Sequence, residues 1–258
     1  MSIPEYALNY ANAGLATIPV PFKKKAPVIP RWQDLRIKSD DIPQYYPSHQ
    51  LMNIGILNGE PSGGIVDIDL DCQEAIVLAP SFLSGTITFG RASKPVSHWI
   101  FKTLDDLPKT MKFSAKNADG KESVLLEIRS TGSQTVFPPS THPSGELIQF
   151  TSADENLSTI NGDDLVNRAK RLAAACLLLR NYPAQGTRQD FALALSGTLL
   201  KGGWTTDETT HFVSTLATAA GDDEVGMRVK AVQSTADAIS SNKPVTALKR
   251  LAEVLGYE

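Results

Sequence analysis

The chain has 258 residues, 41% hydrophobic and 21% charged, with a formal net charge of −3. This is the balance of a globular protein with enough chain for one large domain or two ordinary ones, and it does not advertise nucleic-acid binding. No apolar run approaches the ~18 residues that a bilayer span needs, and two lone cysteines, Cys72 and Cys176, argue against a disulfide framework and a cysteine zinc site. The N-terminus lacks a basic stretch followed by an apolar core. The expectation is a cytoplasmic chain with no membrane partner.

To about Gly162, short β-rich runs alternate with Pro/Gly turns. Strands are expected at 14–19, 53–57, 65–70, 86–89, 97–101, 124–128, 134–136 and 147–150. Helical patterns fall at 4–13, 39–46 and 71–78, so the class is α+β rather than a regular βαβ series. From Asp163 the spacing turns helical: 163–179, 187–202, 205–219, 223–240 and 246–255. The third of these opens on Thr-Thr-Asp-Glu, a capping-box pattern. The polar stretch 151–162 reads as the linker between a domain at 1–155 and a helical one at 163–258.

The run Ile65-Val66-Asp67-Ile68-Asp69-Leu70-Asp71 follows a Gly-Gly turn and reads as a buried strand. Alternation puts Asp67, Asp69 and Asp71 on one face, where they repel unless something positive faces them. A solvent-facing acidic strand is the plainer reading of a lone DxD. Hard carboxylate oxygens on one strand face also suit Mg²⁺ or Mn²⁺, and two such ions would serve nucleotidyl transfer. Glu127, between Leu126 and Ile128, offers a third carboxylate, with Arg129 two residues on. Asp71 reads equally well as the cap of the following helix.

A basic, hydroxyl-rich loop at 91–97 follows, holding Arg91, Lys94 and Ser97, and His98 opens an apolar strand. Such groups suit a triphosphate. The spacing of His49, His98, His142 and His211 matches no zinc pattern, and no zinc is expected. Arg188 opens a helix, where it either contacts phosphate or pairs with a neighbouring acid.

Four pieces in order carry a resemblance. They are the opening at Tyr6–Gly14 with Lys25, Pro27 and Trp32; Asn53–Gly59 with Ser62–Asp71; Ser97–Phe101; and Glu127–Gly145, ending in Pro-Pro-Ser-Thr-His-Pro-Ser-Gly. Together they resemble the primase-polymerase (prim-pol) domain of the archaeo-eukaryotic primase superfamily, found in plasmid, phage and mobile-element replication proteins. That resemblance implies an RRM-like catalytic core with a flanking β subdomain, followed by a small all-α helical bundle. It implies Asp67, Asp69 and Glu127 as the ligands of a two-metal Mg²⁺ or Mn²⁺ site. It places His98, Arg129, Gln134 and His142 near the incoming nucleotide; Ser97, Lys94 and Arg91 are the further phosphate contacts expected from the loop itself. Arg188 would touch template. The family's His motif often carries a hydroxyl two residues before the His, where this chain has Val96.

The implied partners are a single-stranded DNA template and (d)NTPs, with a helicase domain or protein as a further candidate. The implied activity is that of a template-dependent DNA primase and polymerase. Two alternatives stay open: a catalytically inactive nucleic-acid-binding replication module, and a metal-dependent nuclease using the same acids.

Overall fold

The computed structural model describes residues 1–103, 105–116, 120–151 and 156–256. Its architecture is α+β, with antiparallel sheets and eight α-helices among the described residues. The chain divides into two units, Met1–Arg171 and Leu172–Glu258.

The first unit begins with α1 (Ile3–Asn12), whose capping box joins Ser2 and Glu5. β1 (Thr17–Pro21), α2 (Ile42–Tyr45), β2 (Met52–Leu57) and β3 (Ile65–Leu70) follow. Then come α3 (Gln73–Phe82), β4 (Ile87–Arg91), β5 (Lys94–Lys102), β6 (Met111–Lys116) and β7 (Glu122–Arg129). β8 (Gln134–Phe137), β9 (Ile148–Phe150) and β10 (Ser158–Thr159) complete the strands. They form a three-stranded sheet, β1-β2-β8, and a seven-stranded sheet, β6-β7-β3-β5-β4-β9, with β10 parallel to β5. One apolar cluster joins the two sheets: Ile54 and Ile56 of β2 and Phe137 of β8 meet Ile65, Phe89 and Ile100 of the larger sheet, with Ala7 and Tyr46.

β3 is interior to its sheet and buried along its whole length. The Gly-Gly turn before it has a steric reason. Gly64 adopts φ +92°, and a Cβ there would lie 2.2 Å from the Thr103 carbonyl oxygen. Only glycine fits, because the backbone of Thr103 donates back to the Gly64 carbonyl at 2.9 Å and fixes the close approach.

Several expected elements shift. Ser39–Asp41 is a 3₁₀ turn, and only Ile42–Tyr45 of the expected helix is α. The helix expected at 71–78 runs Gln73–Phe82 with Cys72 at its N-cap, so Asp71 is not its cap. The loop expected at 91–97 is the turn of a β4–β5 hairpin. Arg91 pairs with Lys94, and β5 runs on through Lys102, so His98 sits mid-strand. β6 and β10 were not expected. β10 lies inside the stretch read as a linker, and Ser158 pairs with Phe101; residues 152–155 of that stretch, including the end of the 1–155 domain, lie outside the described residues.

α4 (Gly162–Arg180) crosses the boundary between the units. In the second unit, α5 (Arg188–Lys201) packs on α6 (Thr206–Ala219), α7 (Val225–Ser240) and α8 (Leu248–Val254), and α6 packs on α7. The expected capping box forms: the Glu208 N–H donates to Thr205 Oγ1 at 3.1 Å, and the Thr205 N–H donates to Glu208 Oε2 at 2.9 Å. No helix among the described residues is long and apolar enough to cross a membrane.

A buried charge knot ties the second unit. Asp222 accepts from Arg228 Nε at 2.9 Å and from the Tyr182 hydroxyl at 2.8 Å, and Arg228 also reaches Gln189 and Glu224. Asp222 and Arg228 are both buried. Burial pushes the Asp222 carboxyl up, but Arg228, the Glu224 N–H and Tyr182 outweigh it and hold it well below the carboxylate range. Removing one partner of such a pair is expected to cost about 3–5 kcal/mol. Asp222→Asn should therefore lower the unfolding temperature, measured by calorimetry. A carboxylate with a depressed folded pKa stabilises above its unfolded pKa, so the wild-type advantage should be full above about pH 4 and shrink as pH falls further.

Candidate active site

Cross-strand register builds the site. β3 lies between β7 and β5, and Asp69 pairs with Glu127 on one side and with His98 on the other. Asp67 pairs with Arg129. Directly opposed residues project to the same face, as do residues two apart on one strand. Asp67, Asp69, Glu127, Arg129 and His98 therefore share one face, and Lys112 of β6, opposite Glu127, joins them.

Asp67 and Asp69 are buried and Glu127 is half-buried; Arg129 pairs with Asp69 and Glu127, and His98 with Asp67. Asp67 is 0% exposed and Asp69 7%. His98 Nδ1 lies 3.0 Å from Asp67 Oδ2 and 3.6 Å from Asp69 Oδ1. Arg129 Nη2 is 2.5 Å from Asp69 Oδ2, and its Nε donates to Glu127 Oε2 at 2.9 Å. Lys112 Nζ is 3.6 Å from Glu127 Oε1. Asp67 Oδ2 also accepts from the Thr135 hydroxyl at 2.7 Å. The Phe89 ring stacks on His98 at 4.6 Å between centroids and fixes the imidazole plane.

The electrostatics follow from burial against pairing. Burial pushes Asp69 up, but His98 and Arg129 outweigh it and hold its carboxyl below the usual range. Burial pushes His98 down, but Asp67 and Asp69 outweigh that and raise it. The three acids likewise outweigh the burial of Arg129 and raise its pKa. Asp71, at the strand's end, is pushed up by burial and by Asp69.

Above this face opens a cleft of about 590 Å³. Its walls include Arg91, Lys94, Ser97, Gln134 and His142, so the residues expected around a nucleotide in this unit come together. Lys94 Nζ donates to the Leu70 carbonyl at 2.7 Å. Arg91 Nε lies 3.2 Å from Glu146, whose carboxyl the Ser144 hydroxyl and the Ser93 N–H hold at about 2. His142 Nδ1 lies 2.8 Å from Ser144 Oγ, and partial burial with Arg91 and Lys25 pushes the ring's pKa down. Gln134 donates to the Lys25 carbonyl at 2.6 Å, and Ser97 is buried beside His98. Arg188 belongs to the second unit, where its Nη1 is 3.5 Å from both Asp222 and Asp223.

Two cleft groups and one group behind the cleft escaped the sequence reading. Lys112 lies on β6, which was not expected. Trp32 figured only in the resemblance, yet it lines the cleft beside Lys24 and Lys25. Thr135 reads in sequence as an ordinary β-former between Gln134 and Val136.

Among the described residues, no three His, Cys, Asp or Glu side chains converge as a ready metal-ligand group. In kind and place, however, the donors suit a hard divalent cation, being carboxylates from two adjacent strands at one register position.

A search of curated proteins gives no significant match. A family model described as "Bifunctional DNA primase/polymerase, N-terminal" (Prim-Pol) matches residues 7–162. That segment is more than half of the chain and contains every strand of both sheets. The chain therefore belongs to the Prim-Pol family of bifunctional DNA primase/polymerase N-terminal domains.

Proposed function

We propose that the chain is a template-dependent DNA primase and polymerase. It joins the α-phosphate of a (d)NTP to a primer 3′-hydroxyl, and pyrophosphate leaves. The observation that carries this is the shared face of Asp67, Asp69, Glu127, His98 and Arg129 beneath a cleft walled by Arg91, Lys94 and Lys112. Its ~590 Å³ lies within the range of small-molecule sites. A carboxylate cluster beneath a cationic wall is the charge pattern that a metal-bound triphosphate requires.

Asp67, Asp69 and Glu127 would hold Mg²⁺ or Mn²⁺. Bound there, such ions would favour the ionised 3′-hydroxyl and neutralise the leaving pyrophosphate. His98 and Arg129 now neutralise the acids. With cations on the carboxylates they become donors for the triphosphate, for which the rigid fork of Arg129 is suited. Lys94 and Arg91 add charge along the same wall, and Gln134 and His142 border the nucleotide. We assign the seven-stranded sheet to an RRM-like core and the three-stranded sheet to the flanking subdomain. Helices α5–α8 are taken as the bundle, in which Arg188 would have to leave Asp222 and Asp223 to reach template. The setting would be plasmid, phage or mobile-element replication, in the cytoplasm, with a helicase as a further partner.

The pairing of every acid with an internal cation also suits a non-catalytic DNA-binding module, and one experiment separates the readings. Labelled primer on a DNA template, with Mg²⁺ or Mn²⁺ and dNTPs, should be extended by the wild type. Asp67→Asn/Asp69→Asn should slow extension at least about 100-fold. Unprimed template with NTPs and dNTPs reports priming. Template binding without extension would leave the binding module in front, and loss of the primer would point to a nuclease.

A second outcome concerns Arg129. Arg129→Lys keeps the charge and loses the fork, and one lost charge-assisted bond of about 1.5 kcal/mol or more should lower kcat/KM for dNTP about tenfold. Single-nucleotide incorporation kinetics measure it.

A further inference from the structure

We propose that Thr135 is a positioning residue for Asp67, and that the side-chain amide of Asn58 fixes the direction in which the Thr135 hydroxyl points. The inference rests on the polymerase reading and deepens it.

Asp67 is fully buried in β3, and a carboxylate can only accept hydrogen bonds. Its side-chain donors are His98 Nδ1, 3.0 Å from Oδ2 and 3.3 Å from Oδ1, and the Thr135 hydroxyl, 2.7 Å from Oδ2. The two differ in kind. His98 lines the cleft and is available to a ligand. Thr135 comes from β8 in the other sheet, is 0% exposed and does not border the cleft. When His98 turns to a nucleotide, Thr135 is the donor that stays on Asp67.

A hydroxyl has one hydrogen, so its direction must be set. Asn58, also 0% exposed, directs Nδ2 to two hydroxyl oxygens: Thr135 Oγ1 at 3.0 Å and Ser133 Oγ at 3.2 Å. Ser133 spends its own hydrogen on the Ser130 carbonyl at 2.7 Å. The Thr135 hydrogen must face Asp67, because a carboxylate offers none. Both hydroxyls therefore present lone pairs to Asn58, and only its NH₂ side can face them; the reversed amide would set an oxygen against two oxygens. The chain of donors runs one way, Asn58 to Thr135 to Asp67. It holds one carboxylate oxygen from behind and fixes the carboxylate plane. Outer-shell partners of this kind typically change metal affinity about 10–100-fold.

The test is a calorimetric Mn²⁺ titration of the full chain without nucleotide, on wild type, Thr135→Val, Thr135→Ser and Asp67→Asn/Asp69→Asn. Valine keeps the volume and removes the hydroxyl; serine keeps the hydroxyl. The expected result is wild-type binding that the double substitution abolishes, a loss of about tenfold or more in T135V, and recovery in T135S to within about threefold of wild type. In primer extension, T135V should need correspondingly more metal for half-maximal rate, with the dNTP KM at saturating metal unchanged. Should T135V not fold, Thr135→Cys, whose S–H is a weak donor, takes its place with the same expectation. Equal Mn²⁺ affinity in T135V and wild type, with or without a lower unfolding temperature, would overturn the role of Thr135 and leave the polymerase reading standing. So would a T135S as impaired as T135V. A wild type that neither binds Mn²⁺ at these acids nor extends a primer would remove the polymerase reading, and this inference with it.

Discussion

The pairing of two buried carboxylates and a half-buried third across neighbouring strands is the constraint on which the first unit depends. Asp67, Asp69 and Glu127 occupy positions that a packed sheet would normally give to apolar side chains. An isolated ionised carboxylate there would cost far more than the fold's whole stability margin. Register supplies the remedy. Arg129 stands opposite Asp67 and bridges Asp69 to Glu127, while His98 stands opposite Asp69 and reaches Asp67. A slip of one residue on either flanking strand would turn those partners to the other face and leave the acids bare. The acids therefore demand one register, and the Gly64 turn together with the joint core of the two sheets holds β3 where it can be met.

The same arrangement links fold to chemistry. Groups that make the acids tolerable at rest are those suited to a polyphosphate once the acids take another counter-charge. At rest His98 is held by its stack on Phe89 and Arg129 at both ends of its fork, so under the proposed reading both exchange partners when metal and nucleotide bind. The smaller sheet contributes from behind, through Thr135, and at the rim, through Gln134.

Much of this was legible in the residues. The Gly-Gly turn and the alternating acids announced β3, and Glu127 between Leu126 and Ile128 announced a carboxylate that needed a partner. Helices of the second unit, among them α6 with its capping box, lie within about two residues of their expected bounds. Part of what escaped was local: β6 does alternate (Met111, Phe113 and Ala115 against Lys112, Ser114 and Lys116), a strand signal missing from the expected elements, and β10 is too short to show a period. Lys94 falls in an expected loop, yet the hairpin carries it into β5. No local pattern states that Arg129 faces Asp69, or that a threonine of one sheet donates to an aspartate of the other. Both depend on register and sheet packing, which one stretch of sequence does not encode.

The central claim is that the cations now resting on these acids give way to metal and then hold the triphosphate. Diffraction from crystals grown with Mn²⁺ and a non-hydrolysable dNTP, recorded at a wavelength where manganese scatters anomalously, tests it most directly. The account predicts anomalous density bonded to Asp67, Asp69 and Glu127, with His98 and Arg129 turned to the phosphates. Nucleotide density without manganese at these acids, and with Arg129 still bridging Asp69 to Glu127, would contradict it.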